Sequence, residues 1–373
     1  MATPVRLSYQ RGSPLPHPAT VLAWIEDELL DAGFKDRQRR LAPQPGPKSE
    51  EEVRALLEQA LRERGLGPAE VEAVWQQLWA EGFFRRAGER GQAKGGLRLG
   101  PKALRLLGAR ALDRFLPARA RRGFGRHAAL ELAPGPEAAE EVRPYRHGEP
   151  LFLDATATLK ALLPAPIEAL SEAHLHVRLA EAGRAVATAL LLDCSHSMIL
   201  YEEDRFTPAK RTALALAHLI RTQFPGDHLE TICFHDRAEL VPLDLLPLVQ
   251  VGPWHTNTAE GLRLARKRLS RTPQEEKAVI LVTDGKPSAI TLPDGSLYKN
   301  AWGLDEKIVA VTLREAAALR RLGARLFVFM LADDPLLKAF VRRLVGAGGG
   351  RAVFADPRTL ARQALDTYLK RFS

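Results

Sequence analysis

Apolar residues recur every three to four positions along the first 128 residues and in uninterrupted runs after about residue 185. The first rhythm belongs to amphipathic helices and the second to strands buried on both faces. "TVLAWIEDELL" and "SEEEVRALLEQALRERG" each predict a helix. In the second, Ser49 followed by Glu52 makes a capping box. "PAEVEAVWQQLWAEG" predicts a third helix, with Pro68 in its first turn and Gly82 at its end. From Phe83 the pattern becomes a short strand, a glycine-rich turn, a short strand and a helix. Helix, strand, wing and helix together resemble a winged-helix module.

Residues 129–184 form a connector rich in Gly, Pro and Glu, with short strand-like runs. His174 and His176 fall two apart, on one face of a predicted strand. Without a third ligand they read as surface residues, not as a zinc site. From 185 onward, apolar runs such as "AVATALLLD" and "KAVILVTD" alternate with amphipathic helices. One of these helices is predicted to start with Thr207 as its cap and Pro208 at its first position. "HLETICF" and "AELVPL" predict a hairpin at the sheet edge. The fold class is therefore α/β, a doubly wound, mostly parallel sheet behind a smaller, mainly helical N-terminal domain. The expected division is 1–128, 129–184 and 185–373.

Composition changes this picture in one place. The 373-residue chain has a net charge of +9, but residues 82–127 alone hold thirteen Lys/Arg against Glu89 and Asp113. The basicity is local, suited to nucleic acid or to an acidic surface. No apolar run approaches the roughly 18 residues of a membrane span. The opening stretch lacks the apolar segment of a secretory signal, and two cysteines make no disulfide framework. A cytoplasmic location is expected, and an extracellular adhesin is not. Cys194 and Cys233 read as packing residues.

The chemistry gathers where predicted strands end. "LLLDCSHS" closes a buried run with Asp193, Ser195 and Ser197; "HTNTAEG" carries Thr256; "VTDGKP" carries Asp284. In a doubly wound sheet, loops at the carboxyl ends of the strands bind ligands. Alternation along an extended chain would let Ser195 and Ser197 face one point. Two carboxylates with three hydroxyls suit a hard divalent cation, Mg²⁺ or Mn²⁺. Enzyme readings find little support. There is no G-x-S-x-G elbow, and His196 beside Ser195 is not a triad. There is no G-x-x-x-x-G-K-[ST] phosphate loop either.

D-x-S-x-S, a threonine loop and T-D-G on this pattern resemble a von Willebrand factor type A (vWA) domain over residues 185–373. The resemblance implies a Rossmann-like fold and a metal-ion-dependent adhesion site (MIDAS) held by Asp193, Ser195, Ser197, Thr256 and Asp284. It departs from many members in placing His196 where they have glycine; that position supplies no ligand, but His196 and His255 would alter the rim. "TALALAHLIRTQFPGDHL" and "VTLREAAALRRLGARLFVFML" are further similar to bacterial intracellular vWA proteins that accompany MoxR-type AAA+ ATPases. That likeness implies a non-catalytic, chaperone-like role as adaptor or co-factor of such an ATPase in remodelling or assembling a client complex, gripping an acidic residue of its partner through Mg²⁺ or Mn²⁺. The rival expectation is a nucleic-acid-binding regulator acting through the basic segment.

Overall fold

The computed structural model describes residues 15–31, 46–86, 96–115, 141–145, 155–163, 166, 170–179, 185–200, 203–224, 226–300 and 302–369. Residues 1–121 with 186–373 make one compact unit and residues 122–185 a second.

The N-terminal segment opens with α1 (Pro18–Trp24) and α2 (Glu26–Leu30). The periodicity predicted one helix here, but the chain breaks at Ile25 (φ −100°, ψ 5°). The break accompanies the burial of Glu26, which is paired with Arg110 and Arg114. The two-residue strand β1 (Gly46–Pro47) precedes α3 (Glu50–Arg62) and α4 (Pro68–Ala80). Both halves of the predicted capping box form: Glu52 N–H donates to Ser49 Oγ (3.1 Å), and Ser49 N–H to Glu52 Oε2 (2.6 Å). Strands β2 (Phe84–Arg86) and β3 (Leu97–Leu99) pair antiparallel ahead of α5 (Pro101–Phe115), as the strand–turn–strand–helix pattern predicts. The turn between the strands lies outside the described residues.

The second unit holds β4 (Glu141–Pro144), α6 (Ala155–Leu162) and β5 (His176–Leu179), with β4 and β5 antiparallel. His174 is not on the strand. It closes a 3₁₀ turn, where its Nδ1 meets Ser171 Oγ at 2.9 Å. That local bond competes with extension and leaves only His176 in β5.

The C-terminal half runs β6 (Val186–Asp193), α7 (Phe206–Gln223), β7 (His228–Phe234), β8 (Ala238–Leu240), β9 (Val249–Gln250), α8 (Thr258–Leu269) and β10 (Glu276–Thr283). There follow β11 (Ala289–Thr291), β12 (Leu297–Lys299), α9 (Glu306–Arg321), β13 (Ala324–Met330), α10 (Pro335–Gly348), β14 (Arg351–Phe354) and α11 (Leu360–Leu369). Six strands form one sheet in the order β14-β13-β10-β6-β7-β8, parallel except for the β7–β8 edge pair. All eight residues of β6 are buried, as a central strand covered on both faces requires. Strand order reverses between β6 and β10, so the ends of these two strands form the crevice where such sheets bind ligands.

The two segments of the first unit are joined by specific contacts. β1 pairs antiparallel with β9. α5 lies along α7, and Gly108 permits it: a Cβ there would stand 2.8 Å from His218 Cβ. Arg85 and Arg98 pair with Asp244, and Arg211 with Asp27. Much of the described basic charge is thus matched inside the fold. Thr207 does not cap α7. Asp204 accepts from Thr207 N–H (2.9 Å), which frees the Thr207 hydroxyl to donate to Leu30 O (3.2 Å).

Lys210 is wholly buried at this junction and donates to Pro247 O (3.1 Å) and Val249 O (2.9 Å). Burial pulls its ammonium down from 10.5 to about 7. A neutral amine still offers two N–H donors, so both carbonyls stay paired after deprotonation. Between these values the unfolded chain holds a proton that the folded chain lacks, so stability rises with pH across that window. Lys210→Met should flatten this rise in urea-unfolding midpoints measured across it. An unchanged slope in the variant would show that Lys210 is not its source.

Candidate functional site

Asp193 ends β6 and Asp284 follows β10, so the parallel register of these neighbouring strands brings two carboxylates to one edge. Asp193 is fully buried and its oxygens are committed. Oδ1 accepts from Ser195 N–H (3.0 Å) and Oδ2 from the Thr283 hydroxyl (2.6 Å). The hydroxyls of Ser195 and Ser197 lie 3.1 Å apart. They meet through a 3₁₀ turn, His196–Ile199, and not through the extended chain the alternation predicted. Thr256 Oγ1 donates to Ser195 Oγ at 2.8 Å, and the Ser197 side chain lies beside Asp284, where it opposes the effect of burial on that carboxyl. The structure thus brings all five of the predicted residues to one sheet edge, with Asp193, Ser195, Ser197 and Thr256 joined by hydrogen bonds and Asp284 beside Ser197.

Residues beyond those five hold it together. Thr283 grips Asp193 and also accepts from Gly285 N–H (3.0 Å). Ser288 Oγ accepts from Thr256 N–H (3.0 Å), while the amides of Ser288 and Ala289 donate to Thr256 O (2.9 and 3.1 Å). Asn257 caps α8 by accepting from Glu260 N–H, and its own amide donates to Asp236 O and Thr291 Oγ1. Thr283 was visible within T-D-G but had no assigned task in the sequence. Ser288 gave no signal, because its role depends on where the β11–β12 hairpin folds back.

Electrostatics set what the cluster can do. Burial, then the charge of Asp284, pushes Asp193 up to about 7. Burial also raises Asp284, against the pull of Arg205 and Lys286. Two carboxylates so placed repel each other until a proton or a cation joins them. A divalent ion would balance both charges, and three hydroxyl oxygens beside them complete a hard-oxygen donor set. The residues therefore fit Mg²⁺ or Mn²⁺. Among the described residues, no three or more His, Cys, Asp or Glu side chains group as a metal site. The rim cluster takes most of its oxygens from hydroxyls.

Cys194 and Cys233 are buried beneath the loop, and burial raises the Cys194 thiol well above its usual range. Above the cluster opens a pocket of about 590 Å³. His196, Trp254 and His255 lie on its rim, with Trp254 stacked on His235 at 4.1 Å.

A family model described as "Rv0959-like protein, vWA domain" matches residues 186–369. Two curated relatives, uncharacterized protein Rv0959 of Mycobacterium tuberculosis and uncharacterized protein Mb0984 of Mycobacterium bovis, are each 32% identical over 308 residues. Each alignment covers 78% of this chain and 44% of the relative, so the chain spans less than half of their length. The PilB minor pilin from Streptococcus sanguinis is similar at 15% identity and a TM-score of 0.41, over 51% of this chain and 62% of the pilin. The vWF domain of the type V pili tip protein Mfa5 from Porphyromonas gingivalis is similar at 13% identity and a TM-score of 0.39, over 50% of this chain and 95% of that domain.

Proposed function

From the match of residues 186–369 to the Rv0959-like vWA family model, we propose that the protein is a non-catalytic interaction protein that grips an acidic residue of a partner through a divalent cation. The observation that carries this reading is the convergence of Asp193, Ser195, Ser197, Thr256 and Asp284 from three distant loops onto one sheet edge, beneath an open pocket. Ser195, Ser197 and Thr256 would face the ion, with Asp284 beside Ser197 and Asp193 fixed by Thr283 and the Ser195 amide. When bound, the ion supplies an electrophile able to accept an outside carboxylate. The Ser195 hydroxyl lies 3.1 Å from Ser197 Oγ and 2.8 Å from Thr256 Oγ1, separations that neighbouring ligands of one ion can take.

The likeness to vWA proteins that accompany MoxR-type AAA+ ATPases supports such an ATPase as the partner, in the cytoplasm, with the pair acting on a client complex. Among the described residues no helix is long and apolar enough to cross a membrane. The basic segment suits this reading better than nucleic-acid binding. Arg85, Arg98, Arg110 and Arg114 are matched by carboxylates of the fold, which leaves fewer charges for phosphates.

Co-purification with a MoxR-type ATPase of the same genome tests the proposal. Capture in Mg²⁺ should be lost in chelator and in Ser195→Ala, where one hydroxyl of the set is missing. Capture that persists unchanged in both contradicts it.

A further inference from the structure

Strand β14 borders the six-stranded sheet, paired with β13 and, among the described residues, with no other strand. Ala355 N–H donates to Met330 O at the end of β13 (2.9 Å). Alternate residues of a parallel strand address the same neighbour, so Arg351 and Val353 also turn their backbone groups to β13. Ala352 and Phe354 turn theirs outward, to the unpaired border. Such a row of N–H and C=O groups is a template for a further strand.

Charge selects which strand fits. Residues 335–355 include Lys338, Arg342, Arg343 and Arg351 but no Asp or Glu. Lys338 is paired with Asp333. Arg342 and Arg351 are exposed, and no ion pair among the described residues involves either. The Arg342 guanidinium lies 5.3 Å from the centre of the exposed Phe354 ring. Side chains alternate along a strand, so Phe354 with Arg342 belongs to one face of β14 and Arg351 to the other. The two cations thus flank the border at opposite ends and on opposite faces. A strand laid along it presents its own side chains in the same alternation. Acidic residues three positions apart would stand opposite Arg351 and opposite Phe354, each beside one guanidinium. Ala352 and Val353, in between, are half-buried and apolar. A second copy of β14 is a poor occupant, because antiparallel pairing would set Arg351 of each copy beside Arg342 of the other.

We propose that the outer edge of β14 is a docking site for an extended segment of a partner protein, with two acidic residues three positions apart and uncharged residues between them, which joins the sheet as a further strand. Backbone hydrogen bonds to Ala352 and Phe354 give the affinity, and Arg342 and Arg351 give the choice of sequence. β13 separates this border from β10, which Asp284 follows, so the proposal does not depend on a bound cation.

The test titrates the full chain, in EDTA, against fluorescein-labelled Ser-Gly-Glu-Val-Thr-Glu-Gly-Ser and its counterpart with both Glu replaced by Gln, read by fluorescence anisotropy. The acidic peptide should bind about tenfold tighter. Arg342→Gln and, separately, Arg351→Gln should reduce that preference to about threefold. Ala352→Pro removes one outward N–H where an edge strand tolerates proline, and should weaken both peptides about fivefold. Hydrogen exchange of residues 351–355 should slow when the acidic peptide binds, which reads strand addition without any substitution. No binding in EDTA, equal affinities for the two peptides, or a preference that neither arginine substitution moves overturns the proposal. A charge preference without slowed exchange would show a basic patch that takes no strand, and overturns it as well. So does an Ala352→Pro chain that melts as a folded protein and binds as tightly as the parent.

Discussion

Asp284→Asn should abolish the rise in melting temperature expected of the unsubstituted protein in Mg²⁺. An ion that binds only the folded chain stabilises it by about 2.7 kcal/mol at a hundred times its dissociation constant. For a domain of this size that is a rise of about 5 °C or more. Asn keeps the shape of Asp284 but removes one of the two charges that would draw in the ion. Without Mg²⁺ the variant should melt no lower than the parent. Asp284 is buried, and its charge is one cause of the raised Asp193, so its loss relieves repulsion. A paired thermal scan with and without Mg²⁺ separates these effects. An undiminished Mg²⁺ shift in the variant would show that the ion acts elsewhere.

Gly285→Val should unfold the rim and lower stability by about 2–3 kcal/mol. Gly285 has φ +92°, and a Cβ there would lie 3.1 Å from the end of Met330. Valine is penalised twice, by the left-handed backbone and by the contact. The Gly285 amide also donates to Thr283 Oγ1, the group that donates to Asp193. Displacing it loosens both carboxylates of the site together. Gly295 supplies the control, because its φ is +83° and nothing lies within 4 Å of its would-be Cβ. Gly295→Ala should cost only about 1 kcal/mol, the backbone effect alone. Denaturant midpoints of the two variants decide the matter. Equal losses would mean that contact with Met330 contributes nothing.

The sheet was legible because its strands speak twice, as apolar runs and as aspartates at their ends. β6 and β10 are buried on both faces, so no polar alternation blurs their limits. The five cluster residues were legible for the same reason: their strands and loops had to end at one edge. What stayed hidden depends on contacts between distant segments. Thr207 looks like a helix cap in isolation, yet Asp204 takes that role and the Thr207 hydroxyl serves Leu30, 177 residues away. The stretch after Asp284 reads as one long loop, although Asp294-Gly295 lies between β11 and β12 as a hairpin signal. Its short strands, three residues each, were too brief for periodicity to reveal. Ser288 escaped notice with them. Composition alone could not show that Arg85, Arg98, Arg110 and Arg114 of the basic segment meet carboxylates at Glu26, Asp27 and Asp244, outside the segment itself.

The most direct test is crystallographic. A crystal of the full chain soaked in Mn²⁺ and measured at a wavelength where manganese scatters anomalously should show one strong anomalous peak among the hydroxyls of Ser195, Ser197 and Thr256, within about 2.0–2.3 Å of the oxygens that hold the ion. A map with no peak there, or with its peaks only at other sites, contradicts the account.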